Sequence, residues 1–97
     1  MKVEEVISLA ERAGLPLPKW NWPELKIYKG FTHEQRVRGW QAEKLAIRMG
    51  LLTPSSEQVC RECGGNQTMQ YHSNDYSTLE GLVPLCQRCH IRLHRQP

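Results

Sequence analysis

The feature that most constrains this chain is a pair of CxxC motifs in its last third. Cys60-x2-Cys63 and Cys86-x2-Cys89 are separated by 22 residues and contain all four cysteines. A CxxC turn lets two thiolates reach one metal ion, and two such turns complete a closed tetrahedral shell. The pattern therefore predicts a structural zinc ion. A zinc staple suits a chain of 97 residues, because a chain this short buries only a modest core.

Two other interpretations of the cysteines fit the sequence less well. A thioredoxin-like redox motif lies in a βαβ pattern, and no such pattern surrounds either pair. A finger with two cysteines and two histidines could use Cys60, Cys63, His90 and His94. It would need 26 residues between its ligand pairs, against about 12 in the usual finger. It would also leave the second cysteine pair without a role, so we reject it.

The composition and the first residues indicate a soluble intracellular protein. No apolar run approaches the roughly 20 residues of a membrane span. The opening segment, MKVEEVISLAERAG, carries acidic side chains where a signal peptide has basic ones. We therefore expect a cytoplasmic location, no membrane partner, and reduced cysteines that bind metal instead of forming disulfides. The sequence leaves the oligomeric state open.

Residues 1–57 are predicted to form a helical extension with a connector that contains prolines and tryptophans. Apolar residues at helical spacing predict a first helix over residues 3–13, and three prolines make residues 15–31 a loop. A capping box at Thr32 opens a second helix, which Gly50 ends. Because this helix has two apolar stripes, we expect it to pack between the first helix and the cysteine module. The stripes are Val37, Trp40, Ile47 and Leu51 on one side, and Ala42, Leu45, Met49 and Leu52 on the other.

Residues 58–97 are predicted to form the zinc-binding module. Between the cysteine pairs, residues 68–72 favour a short strand and Ser73-Asn74-Asp75 a turn. The second cysteine pair opens a helix that continues through Arg95. Together with the helical extension, these elements predict a small α+β fold stapled by zinc.

The histidines of this module predict a second metal site. His90 and His94 are four residues apart on the last helix, so they share a face and can hold one ion. Cys89 directly precedes His90, which points the sulfur and the imidazole in different directions. The two kinds of ligand are therefore expected to serve two sites. Mere stabilisation of the helix end is the plainer alternative, and a third histidine, His72, makes it the weaker one.

Charge indicates a nucleic-acid partner only through its distribution. The net charge of +3 falls to about +1 once zinc binds four thiolates. From residue 81 to residue 97, however, the only charged side chains are Arg88, Arg92 and Arg95, which suits contact with phosphates. A solvated helix with a basic last turn is an equally good interpretation of these charges alone.

The cysteines and histidines together resemble a known family. The quoted motifs are Cys60-x2-Cys63-Gly64, then His72…Asp75-Tyr76-Ser77, then Leu85-Cys86-x2-Cys89-His90-x3-His94. They are similar to the pattern CxxCG…HHxDYS…LCxxCHxxxH of the zinc-containing HNH endonucleases, over about residues 58–95. The resemblance implies a ββα-metal fold and metal-dependent hydrolysis of DNA. It also implies a second divalent ion (Mg²⁺, Mn²⁺, Ni²⁺ or Zn²⁺) at the catalytic candidates His72, His90 and His94, with Asp75 completing the shell or orienting His72.

Two positions depart from the family's pattern. Aligned without a gap, His72 takes the place of a metal ligand and Ser73 that of the general base, although a hydroxyl is far too weak a base at neutral pH. A one-residue bulge would instead make His72 the base and leave Tyr71 at the ligand position. Gly81 stands where many members have the middle asparagine, and Asn74 is nearby but not at the matching place.

Three functions therefore stay open. The first is a metal-dependent DNA endonuclease, which the three histidines favour. The second is a non-catalytic zinc module that binds nucleic acid through its arginines, which Ser73 favours. The third is a zinc-stapled adaptor between proteins, in which the metal serves folding alone.

Overall fold

The computed structural model of the protein describes residues 1–95 and confirms a small α+β fold. Over these residues the chain forms three α-helices and one two-stranded antiparallel sheet. They are α1 (Val3–Arg12), α2 (His33–Arg48), β1 (Met69–Ser73), β2 (Leu82–Cys86) and α3 (Gln87–Arg95). The last two residues of the predicted module lie outside the described residues. No helix within residues 1–95 is both long and apolar enough to cross a membrane.

Helix α2 begins and ends at the signals that the sequence carries. The Thr32 hydroxyl accepts a hydrogen bond from the Gln35 N–H at 3.3 Å, and the Gln35 side-chain oxygen accepts one from the Thr32 N–H at 2.8 Å. This reciprocal box satisfies two backbone donors at the helix start. At the other end Gly50 adopts a φ of +76°, which lets the chain turn out of the helix.

The main core lies between α1 and α2. Its buried residues are Val3, Val6, Ile7 and Ala10 of α1 with Ala42, Leu45 and Ala46 of α2. Of the two stripes predicted on α2, the one that contains Ala42 and Leu45 is therefore the buried one.

The second stripe is not buried as predicted, although α2 does pack on both sides. Leu51 is 47% exposed, and Trp40 is only half-buried. The second contact lies at Gly39 instead, where a Cβ would stand 2.9 Å from the ring of Tyr76. A close approach by an aromatic ring needs a residue without a side chain, so a count of apolar positions could not identify this face.

The connector packs along α2 and ends in a tight turn. Trp20, Trp22 and Trp40 meet edge to face with ring centroids 5.0–5.6 Å apart. Further on, Tyr28 and Phe31 exchange backbone hydrogen bonds around Lys29 and Gly30, whose φ values are +50° and +81°. Two positive φ values make this a type I′ turn, which favours asparagine and glycine, so a lysine there is unusual. The turn directs Tyr28 and Lys29 towards the C-terminal module.

Strands β1 and β2 form a regular hairpin. The pairing runs from Met69↔Cys86 to Ser73↔Leu82 without a skipped residue. Strand β1 lies one residue further along the chain than predicted from the sequence. The start of α1 joins this part of the molecule, because the Val3 N–H donates to the Ser77 carbonyl at 2.9 Å. Backbone contacts therefore cross the boundary predicted at residues 57 and 58.

Candidate metal centres

The four cysteines form a cluster that could hold a zinc ion. Their sulfurs all lie within 4.8 Å of one another, and the Sγ atoms of Cys63 and Cys86 are 3.8 Å apart. Zinc–sulfur bonds of about 2.3 Å in a tetrahedron place sulfurs about 3.8 Å apart, so the spacing fits. Cys60, Cys86 and Cys89 are buried, and Cys63 is exposed. All four are free thiols, as the prediction of a metal site requires.

Local backbone geometry brings the first cysteine pair to the second. Gly64 has a φ of +74°, and its N–H donates to the Cys60 carbonyl at 2.9 Å, which closes the first CxxC turn. The Gln87 N–H donates to the Thr68 carbonyl at 2.9 Å, which ties the start of α3 to the first strand. The second pair is therefore held at the junction of β2 and α3, directly opposite the first.

The thiols influence one another's protonation. Backbone N–H groups, that of Cys86 foremost, lower the pKa of Cys60 to about 6. The neighbouring Cys86 thiol, followed by burial, raises the pKa of Cys89 to about 12. Ionisation of one thiol in the cluster therefore disfavours ionisation of the next. A divalent cation at the centre removes this conflict, because it stabilises all four thiolates together.

The histidines form a second cluster, as the sequence predicts. One ring nitrogen from each of His72, His90 and His94 lies within 4.8 Å of the others. The His94 and His90 Nε2 atoms are 2.9 Å apart, and the His72 Nδ1 atom is 3.4 Å from His90 Nε2. Metal–nitrogen bonds of about 2.0–2.1 Å place neighbouring ligands about 3.0 Å apart in an octahedron and about 3.4 Å in a tetrahedron. The three imidazoles therefore fit one ion.

Hydrogen bonds outside the cluster select which nitrogens face inward. The His90 Nδ1 atom lies 2.6 Å from the Gln70 side-chain oxygen, which can only accept, so Nδ1 carries the proton. The His72 Nε2 atom lies 3.1 Å from the Asn74 Oδ1 atom, which also accepts from the Lys29 ammonium at 2.7 Å. Because an ammonium only donates, the orientation of this amide is defined, and His72 carries its proton on Nε2. Both rings thus direct a lone pair at the cluster.

Burial keeps these imidazoles neutral. Burial is the main reason why the pKa of His72 falls to about 4, and the neighbouring His90, His94 and Lys29 contribute to the same shift. Burial also lowers the pKa of His90 and of His94. A neutral imidazole is the form that binds metal. His94 is exposed at the edge of the cluster, whereas His72 is only 2% exposed, so the cluster opens on the His94 side.

Asp75 does not join the histidines, contrary to the prediction that it completes the shell or orients His72. Its Oδ1 atom accepts hydrogen bonds from the Ser77 N–H at 2.9 Å and the Ser77 hydroxyl at 2.6 Å. This is the local turn bond that an aspartate makes with the backbone two residues on. The position beside His72 is taken by Asn74 and by the Tyr28 hydroxyl, which is 3.2 Å from His72 Nε2.

The hairpin contains no bulge between Met69 and Asn74. Its ladder is regular through Ser73, and the Asn74 N–H continues it by donating to the Gly81 carbonyl at 2.9 Å. His72 is therefore paired with Val83 without an extra residue before the turn. Ser73 is only 8% exposed, and strand alternation puts it on the face opposite His72. At Gly81 a Cβ would stand 2.6 Å from the Asp75 carbonyl oxygen, so this position has no room for a side chain.

The basic residues of α3 do not surround the histidine cluster. Arg88, Arg92 and Arg95 line one shallow groove on the exposed side of the helix. At 100° per residue, their common face is turned about 150° away from that of His90 and His94. The cations nearest the histidines are Arg36 and Lys29, from the N-terminal part of the chain. In the sequence Arg36 is one of several charged side chains on α2 that could contact a nucleic-acid backbone, and Lys29-Gly30 could be recognised only as a turn.

Comparison with protein-family models, with curated proteins and with solved structures found no match. The resemblance to the HNH endonucleases therefore depends on the motifs alone. Function has to be argued from the two clusters and their surroundings.

Proposed function

We propose that the protein is a metal-dependent endonuclease of the HNH type, which hydrolyses phosphodiester bonds in DNA. The observation that carries this proposal is the convergence of His72 with His90 and His94, at a site distinct from the four cysteines. A zinc module that only needs to fold is complete with four thiolates. Three imidazoles that converge in this way are not needed for folding. The lone pairs of His72 Nδ1 and His90 Nε2 face each other at 3.4 Å, which is unfavourable unless a cation lies between them.

The two clusters have different roles in this proposal. The cysteines hold zinc and join the hairpin to α3, which fixes the distance between β1 and the histidines of the helix. His72, His90 and His94 hold a second divalent ion. Gln70 and Asn74 keep two of the three rings in the ligating tautomer. An ion in this position supplies Lewis-acid stabilisation of the charge that develops on the phosphate during hydrolysis.

The regular hairpin makes His72 a metal ligand in this proposal, not the base. Its Nδ1 atom points at His90, and its low pKa suits a ligand better than a base that works near neutral pH. Ser73, at the family's base position, is a poor proton acceptor. We therefore expect slow cleavage with a pH dependence that is not set by a histidine at this position.

DNA contact is proposed for one exposed surface of α3. Arg88, Arg92 and Arg95 present an exposed basic stripe that can bind phosphates along one strand. Because the stripe lies around α3 from the histidines, it holds the duplex at a distance from the cluster instead of positioning the reacting phosphate. A zinc- and metal-binding module that binds nucleic acid without cutting it is the second candidate, and buried Ser73 favours it.

Incubation of supercoiled plasmid with the zinc-loaded protein tests the proposal. Manganese, magnesium or nickel should produce nicked or linear DNA, and EDTA should stop the reaction. His90→Ala should abolish cleavage while DNA binding is retained. His33→Ala is the matched control, because His33 lies outside the cluster and accepts a hydrogen bond from the Leu25 N–H at 2.9 Å. DNA that is bound but left intact with every metal would reject the nuclease in favour of the binding module.

A further inference from the structure

The surroundings of the histidine cluster carry an excess of positive charge. A cavity of about 170 Å³ separates α2 from the hairpin, and His72, His90, His94 and Arg36 all line it. Arg36 lines this cavity together with His94, and the Lys29 ammonium lies 2.7 Å from the Asn74 Oδ1 atom that also bonds His72. The one carboxylate found among the described lining residues, that of Glu43, lies 3.2 Å from the Lys44 ammonium.

Arg36 is held rigidly, yet most of its hydrogen-bonding capacity is unused. Its guanidinium carbon lies 5.3 Å from the ring centroids of both Tyr28 and Tyr76, so two aromatic side chains hold it in place. One of its Nη1 protons goes to the Lys26 carbonyl at 2.8 Å. The Nε atom is buried and has no acceptor within residues 1–95, and over the same residues Arg36 forms no ion pair with a carboxylate.

A partly buried cation such as Arg36 beside a cation-binding site is unfavourable unless an anion accompanies it. A divalent ion on three neutral histidines would bring two further positive charges into the cavity that Arg36 already lines. Five N–H donors in a planar fork match the oxygens of a phosphate. The arrangement is therefore incomplete without an oxyanion, and the guanidinium is the group able to bind one.

We propose that Arg36 binds a phosphate group in the cavity that it shares with the histidine cluster, so that the N-terminal helical part supplies the anchor for the reacting phosphate. The inference deepens the proposed function, because in the endonuclease that phosphate is the scissile one. Residues 1–57 thereby become part of the reaction site. This also explains why the arginines of α3, which face elsewhere, need not reach the histidines.

Inorganic phosphate is the probe that tests the anchor without any cleavage assay. The ¹⁵N-labelled full chain with one equivalent of zinc is titrated with phosphate at pH 7, and chloride keeps the ionic strength constant. The Arg36 Nε–H resonance should shift and saturate. Arg36→Gln should weaken phosphate binding by about tenfold or more, since it removes a charge-assisted contact. The phosphate affinity of Arg36→Lys should lie between those of the unmodified chain and Arg36→Gln, because lysine keeps the charge but lacks the planar guanidinium fork.

Arg48→Gln is the matched control, since Arg48 is an exposed arginine on the same helix. It should bind phosphate as the unmodified chain does. The proposal is overturned if Arg36→Gln also binds normally, or if Arg48→Gln weakens binding as strongly. It is equally overturned if both Arg36 variants unfold while Arg48→Gln folds, because the arginine is then a structural cation.

Phosphate binding that depends on Arg36 in a protein that cuts no DNA supports the anchor and rejects the nuclease. If the protein cuts DNA but Arg36→Gln binds phosphate as the unmodified chain does, the nuclease is supported and the anchor is rejected.

Discussion

Replacing Gly81 by alanine should destabilise the protein, and the structure gives the size of the effect. An added Cβ would lie 2.6 Å from the Asp75 carbonyl oxygen and 2.7 Å from the Asp75 backbone nitrogen. Both are backbone atoms, so neither can rotate away as the end of a side chain can. The turn must therefore shift away from β2, and the bond from the Asn74 N–H to the Gly81 carbonyl is strained with it.

The contributions add to a loss of about 2 kcal/mol. Overpacking costs about 1–3 kcal/mol, and the strained hydrogen bond about 1 kcal/mol. Alanine recovers about 0.4–1 kcal/mol, because it reduces the freedom of the unfolded chain. In a domain of this size, about 2 kcal/mol lowers the melting temperature by roughly 8–16 °C. Asparagine, the residue that many HNH enzymes have here, should be at least as harmful.

Thermal unfolding of the zinc-loaded protein, followed by circular dichroism, measures this effect. Gly65→Ala is the control, because a Cβ there would meet only the Cys63 sulfur, at an ordinary 3.4 Å. It should change the melting temperature by less than about 4 °C. A Gly81→Asn protein that has the melting temperature of the unmodified chain and still binds the second ion would refute the packing argument. It would also mean that the family's asparagine can be accommodated.

Three further predictions concern the metals, the protons and the DNA. Cys89→Ser should unfold residues 58–95, whereas His90→Ala should remove the second ion with unchanged circular dichroism; equal unfolding would contradict two separate sites. With only the cysteine site loaded, stability should fall as the pH drops from about 6.5 towards 4, because the pKa of His72 is 6.5 unfolded and about 4 folded. His72→Gln should reduce the slope of stability against pH in this range. An unchanged slope would refute the assignment of this pH dependence to His72. Arg92→Gln should reduce the salt slope of DNA binding by about 1, and an identical slope would remove Arg92 from the interface.

The features that the sequence predicts correctly are those set by short spacings. The caps of α2 depend on residues three apart, and the separation of the cysteine and histidine sites follows from the 100° step between Cys89 and His90. Helix geometry alone brings His90 and His94 together. His72 could be grouped with them only as the third histidine of the module and through the family resemblance, because the hairpin register that brings it there is not visible in a single chain.

The site residues that the sequence places wrongly or does not identify also have a physical explanation. Asp75 was expected at the metal, but an aspartate two residues before a serine N–H is readily taken up by its own turn. The spacing Asp75-x-Ser77 is visible in the sequence and is typical of this turn bond. Gln70 and Asn74 carry no local signal for their contacts with the histidines, and Arg36 is only one of several charged side chains on α2. Their roles depend on which distant side chains they meet, and an uncharged amide in a strand or an arginine in a helix usually faces only water.

The bonds between the first residues and the loop after β1 have a consequence for synthesis on the ribosome. The Val3 N–H binds the Ser77 carbonyl, and the Leu79 N–H binds the Met1 carbonyl, across more than 70 positions of the chain. Helices α1 and α2 can meet once residue 48 has emerged, but the start of α1 stays without these partners until residue 79 is made. The fourth zinc ligand follows ten residues later. The start of α1 therefore gains these partners only about ten residues before the chain supplies its last zinc ligand, so the docking of α1 on the loop and the completion of the zinc shell are closely spaced in synthesis.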